Sequence, residues 1–163
     1  MPAMSDVLLR VGRLNYVWTN TESLLIYIIA HLLDVEKDAA IIVFLTLNTT
    51  RARIDLVERL AKLPSTDAND KRTVLELMAR LKRESKMRNK YNHCIYSFDE
   101  TGEISSTQLM RLVEDERHVK YGKIEPLDHK EIDRLERSIA EIVAISKALW
   151  LFIRASPRYT DDM

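Results

Sequence analysis

Apolar residues recur at helical spacing along most of the chain. From Ser5 to about Asp34 they fall at Val7, Leu8, Val11, Leu14, Val17 and Trp18, then at Leu24, Leu25, Ile28, Ile29 and Leu32. That pattern predicts one long helix, with Ser5 or Asp6 able to cap its start. Glu22 sits near this stripe and reads as a rim carboxylate. A second pattern, from about Glu36 to Leu63, carries Ile41, Ile42, Phe44, Leu45, Leu47, Ile54, Leu56, Val57, Leu60 and Leu63. The TLNTT segment inside it is a poor helix former and predicts a kink near Asn48. Pro64 and the polar STDAND segment end the element. A third helix is expected from about Asn69 to His93, with Val74, Leu75, Leu77, Met78 and Leu81 apolar.

Residues 95–125 change period. IYSFDETGEIS reads as strand, Gly-containing turn and strand, and VKYGKIEPL adds a third strand. Charged residues from Glu114 to His118 lie between them. The helical period returns at Asp128, with Glu131 at capping-box spacing and Ile132, Leu135, Ile139, Ile142, Val143, Ile145, Leu149 and Phe152 as the apolar stripe. Trp18 and Trp150 read as core or interface anchors. Residues 156–163 should form a flexible, fraying tail. The expected architecture is one mainly all-α domain over residues 1–163. It would be an up-down four-helix bundle with a small β-hairpin-like excursion at 95–125 between helices three and four.

Composition narrows the function classes. Three glycines and four prolines in 163 residues favour long helices over a turn-rich fold. Basic and acidic residues balance at 25 each, so any nucleic-acid surface must be local. Such a patch exists: Arg80, Lys82, Arg83, Lys86, Arg88 and Lys90 face a single acid, Glu84, within one stretch. This is either a solvated basic face or a phosphate surface. The single cysteine, Cys94, excludes an intrachain disulfide and reads as a small buried residue. His31, His118 and His129 lack ligand spacing, so neither a metal nor a cofactor is expected, and no Gly-rich phosphate loop occurs. No signal peptide and no apolar run of about 18 residues is visible, so the expectation is a soluble, cytoplasmic protein without a membrane partner.

The end of the third helix, RNKYNHC (88–94), carries the candidate chemistry. On a helix advancing about 100° per residue, Arg88 and Asn92 continue the stripe of Val74, Leu77, Met78 and Leu81, with Asn89 and His93 beside it. Lys90 points away, and Tyr91 falls off this polar arc and reads as packing. Polar groups on a buried stripe need partners. An internal network, a polar cavity or an intersubunit cleft would provide them, and Glu84, one turn earlier, can pair with Arg88. An imidazole exchanges protons near neutral pH, and an arginine beside it can hold a phosphate. That pair suits phosphodiester cleavage with the RNA 2′-hydroxyl as internal nucleophile.

At RNKYNH the sequence resembles the HEPN superfamily, whose signature is an Arg followed by a polar residue and, a few residues on, a His. Arg88, Asn89 and His93 match, with four residues between Arg88 and His93. The resemblance implies a helical bundle acting as a metal-independent endoribonuclease dimer. The motifs of both copies would face one cleft, and cleavage would leave 2′,3′-cyclic phosphate ends. It implies His93 as the proton-transfer group, Arg88 on the scissile phosphate and Asn89 as orienter. The polar arc and the basic stretch add Asn92, Lys86 and Arg83 as candidate substrate-binding residues. It also implies a place in toxin–antitoxin or defence systems, with an antitoxin or a nucleotidyltransferase as partner. The competing expectation is a catalytically inactive helical dimer that binds a protein or a nucleotide. The excursion at 95–125 is not part of a minimal HEPN domain and can cover the cleft, select a substrate or bind a partner.

Overall fold

The computed structural model describes residues 2–159. It contains six α-helices: α1 (Met4–Ser23), α2 (Leu25–Leu33), α3 (Lys37–Thr46), α4 (Thr50–Ala61), α5 (Ala68–Asn92) and α6 (His129–Ala155). Five strands lie between α5 and α6: β1 (Cys94–Phe98), β2 (Ile104–Leu109), β3 (Leu112–Glu114), β4 (Val119–Tyr121) and β5 (Ile124–Pro126). This overturns the expected four-helix bundle with a small hairpin-like excursion. Two of the four expected helices are divided, and the excursion is a pair of antiparallel sheets, one ordered β1-β2-β5 and the other β3-β4.

The divisions have local causes. Thr21 Oγ1 donates to Val17 O at 2.6 Å and Ser23 Oγ to Asn20 O at 2.7 Å. Both hydroxyls compete for carbonyls the helix would use, and the ladder is interrupted at Leu24, which keeps helical dihedrals. The kink expected near Asn48 is a full break. Leu47 is extended, and Thr49 starts a new helix by accepting from Ala52 N at 3.1 Å. Asp34 ends α2 in the left-handed region, where its N–H and that of Val35 satisfy the last carbonyls. Elsewhere the expected boundaries hold. The Asp67 carboxylate accepts from Asn69 N and Asp70 N at the start of α5, and Asp128 Oδ1 accepts from Glu131 N at 2.9 Å at the start of α6.

The chain separates into two compact units, and α1, α5 and α6 each contribute to both. One unit comprises Val17–Glu84 and residues 141–159. Its apolar interior includes Trp18, Leu25, Ile28, Ile29, Ile54, Val57, Met78, Leu81, Ile145 and Leu149. Glu22 is not a rim residue. It is buried here and accepts from Trp18 Nε1 (2.9 Å), Thr50 Oγ1 (2.9 Å) and Arg53 Nη1 (3.1 Å). Arg53 Nε also donates to the carbonyls of Phe44 and Leu47, so one guanidinium satisfies the open end of α3 and a buried carboxylate. Of the expected tail, residues 156–159 are held rather than frayed. They form a short 3-10 turn in which Tyr159 packs edge-on against Tyr27 and Arg158 bonds Asp34 and Val35 O. Residues 160–163 lie outside the described residues.

The other unit comprises residues 2–16 and Ser85–Ala140. Val7, Leu14, Tyr91, Ile104, Leu127, Ile132, Leu135 and Ile139 are its buried apolar residues. The β1–β2 hairpin turns where expected, because Asp99 Oδ1 collects Thr101 N, Thr101 Oγ1 and Glu103 N while Gly102 takes a positive φ. VKYGKIEPL is two strands, parted at Gly122. A Cβ added at Gly122 would stand 2.1 Å from Leu109 O, so only glycine lets the link pass the end of β2. Among the described residues no helix is long and apolar enough to cross a membrane.

Candidate functional site

The last turns of α5 and the end of β2 line an open pocket of about 460 Å³. Its wall from the helix is Lys86, Asn89, Lys90 and His93, spaced so that they fall along one side. The opposite wall is Leu109, Met110 and Arg111. Strand pairing holds the two walls together. Cys94 lies opposite Leu109 in the β1–β2 register, and one step beyond that ladder Met110 N donates to His93 O at 2.9 Å. The position of Arg111 is therefore tied to that of His93.

The expected site residues divide. Lys86, Asn89 and His93 are exposed and share this pocket. Arg88 is half-buried and is not a wall residue, but its Nη1 donates to Asn89 Oδ1 at 3.2 Å. Asn92 is exposed and lies outside the wall, and Arg83 belongs to the other unit, where its charge acts on Glu141. The wheel also misjudged the end of α5. The face that is buried there holds Tyr91, not Asn92, while Asn89 and His93 open to solvent. Tyr91 does pack, as read from the pattern.

Lys90 reverses its expected role. Far from pointing away, its side chain is only 12% exposed and its Nζ donates to Glu125 and Glu131. Glu131 also accepts from Tyr91 OH at 3.1 Å and Arg134 Nη1 at 2.9 Å. Its carboxylate serves this cluster instead of reaching back to close a capping box. The ammonium of Lys90 holds the Glu125 carboxyl below its ordinary range, with Lys123 assisting. Burial, reinforced by Glu131, pushes the Tyr91 phenol up, so it stays a neutral donor.

The basic stretch on α5 is largely neutralised. Arg80 Nε meets Glu141 Oε1 at 2.7 Å, and Lys82 meets Glu58 and Asp55. Those partnerships raise the Arg80 and Lys82 values and lower that of Glu141. Among the described residues, Lys86 and Arg111 have no carboxylate partner. Arg111 was missed from sequence, as were Leu109 and Met110, because only the strand register brings them beside His93. Burial raises the Cys94 thiol, which favours the protonated form and argues against a thiolate nucleophile.

A second polar cluster lies in the other unit. His31 Nε2 meets Asp70 Oδ2 at 2.7 Å, and its Nδ1 meets Ser156 Oγ at 3.2 Å. The order suggests a nucleophile relay. However, Ser156 is only 6% exposed, and its backbone N–H and carbonyl are both engaged in the packed chain end. The cluster ties α2, α5 and the end of α6 together. Among the described residues no group of three or more His, Cys, Asp and Glu is placed to hold a metal ion.

The chain matches no family model, no curated protein and no solved structure.

Proposed function

We propose that the chain is an RNA endonuclease of HEPN type whose working site is the pocket at the end of α5, and that two copies act together. One observation carries this reading: Asn89 and His93 of the motif open onto the same basic pocket as Lys86 and Arg111. In the proposed reaction the RNA 2′-oxygen bonds to phosphorus and the bond from phosphorus to the 5′-oxygen breaks. His93 takes the 2′-hydroxyl proton, and the second copy's imidazolium returns one to the leaving oxygen. Asn89 orients the Arg88 guanidinium toward the charge that grows on phosphorus, and Lys86 and Arg111 hold neighbouring phosphates. The products are a 2′,3′-cyclic phosphate and a 5′-hydroxyl.

A second reading has its own support. Arg88 is not in the pocket wall and Lys90 is neutralised, as suits a module that binds RNA without cutting it. Incubation of purified protein with RNA in EDTA, beside Arg88→Ala and His93→Ala, separates the two. Cleavage should fall about 100-fold or more in each variant. Equal cleavage in all three overturns the nuclease assignment, and binding without cleavage favours the silent module.

A further inference from the structure

We infer that the pocket beside His93 is a subsite for one unpaired nucleotide, and that the turn leaving β2, Leu109 to Arg111, decides which strands enter. The inference rests on the RNA reading above and adds what the site selects. Its walls differ in chemistry. Lys86 and Arg111 are exposed cations without carboxylate partners among the described residues, while the neighbouring Lys90 is neutralised by Glu125 and Glu131. An anion is therefore drawn to the Lys86–Arg111 side. Met110 is 59% exposed and lines the pocket together with Leu109, giving a polarizable apolar surface against which a base can lie flat. Asn89, whose Oδ1 accepts from Arg88 Nη1, has its amide N–H groups to offer to the edge of a base.

Size and rigidity point the same way. About 460 Å³ suits one nucleotide rather than a paired stem. A base can reach the wall only if it is unstacked, as in a loop or single strand. The wall itself is fixed on both sides. Met110 N bonds His93 O at 2.9 Å, Leu109 N bonds Lys123 O at 3.3 Å, and Arg111 N bonds Leu109 O at 2.9 Å. The strand inserted after α5 thus supplies a surface whose distance from His93 is set by backbone pairing.

The test uses full-length His93→Ala protein, so that the probe stays intact, and fluorescence anisotropy. The probes are a labelled single-stranded 12-nucleotide RNA, the same strand in a duplex, and labelled adenosine monophosphate. We expect the single strand to bind at least about tenfold more tightly than the duplex. The mononucleotide should bind more weakly than the single strand, because it brings one phosphate. Adding Arg111→Ala or Lys86→Ala should weaken single-strand binding about 5- to 20-fold and lower the salt slope by about one. Met110→Ala should weaken it with the salt slope unchanged. Equal binding by duplex and single strand, or unchanged affinity in both cation variants, overturns the subsite. Selective binding that these variants weaken, with no cleavage by the unmutated chain, keeps the subsite and removes the nuclease. Cleavage with unaltered binding in the variants does the reverse.

Discussion

Two buried carboxylates, one in each unit, are held by donors of different kinds. Glu22 takes an indole N–H, a hydroxyl and one guanidinium, and all three belong to helices or their caps. Glu131 takes a phenol and two cations, and one of those cations, Lys90, stands in the wall of the candidate site. In the first case the buried charge fastens the break between α3 and α4. In the second it removes a positive charge from the pocket and leaves that role to Lys86 and Arg111. A buried ion pair can thus shape a binding site by subtraction.

Glu22→Ala should have the greatest effect on stability. It takes the carboxylate away from the half-buried Arg53 and from the Trp18 and Thr50 donors, and should destabilise by about 3–5 kcal/mol in urea unfolding. A loss below about 1 kcal/mol would make Glu22 an ordinary surface acid. Glu131→Ala should cost about 3 kcal/mol, less than Glu22→Ala because Glu125 still holds Lys90. With Glu125 as the one remaining acid on Lys90, the pocket becomes more positive and RNA binding should tighten, so unchanged or weaker affinity would refute the subtraction.

The helices most easily read from sequence were those with strong caps. Asp67 and Asp128 mark α5 and α6, and the apolar period carries them through. The division at Leu24 was not legible, and that at Leu47–Thr49 was legible only as a kink near Asn48, because both arise from single hydroxyls choosing a carbonyl or an N–H, which a count of apolar positions does not register. Asn89 and His93 of the motif could be grouped from helical spacing alone. The neutralisation of Lys90 could not be read there, because its acids lie 35 and 41 residues further along. Met110 and Arg111 were hidden for the same reason, since their neighbour is set by strand register.

Acid titration sharpens the second cluster. Lys90 lowers the Glu125 value in the folded state, so the stabilisation is complete above the ordinary carboxylate pKa. It is lost as pH falls from there through the lowered folded value. Glu125→Gln should flatten that acid decline in unfolding midpoints measured from pH 7 to 3. Parallel declines in both proteins would show that the pair contributes nothing. The smallest effect belongs to Lys82→Ala. Its carboxylates are matched by a half-exposed ammonium, and the loss should stay within about 1 kcal/mol. A cost as large as that of Glu22→Ala would erase the distinction between buried and superficial pairs.

Gly122 has a consequence for how this region tolerates change. In a saturation mutagenesis library over residues 94–126, the neighbouring positions Tyr121 and Ile124 are exposed and should accept many side chains. Gly122 should accept none, because even a methyl group collides with the Leu109 carbonyl. One intolerant codon among permissive neighbours would register, in growth or display counts alone, that the route of the chain past β2 is under constraint.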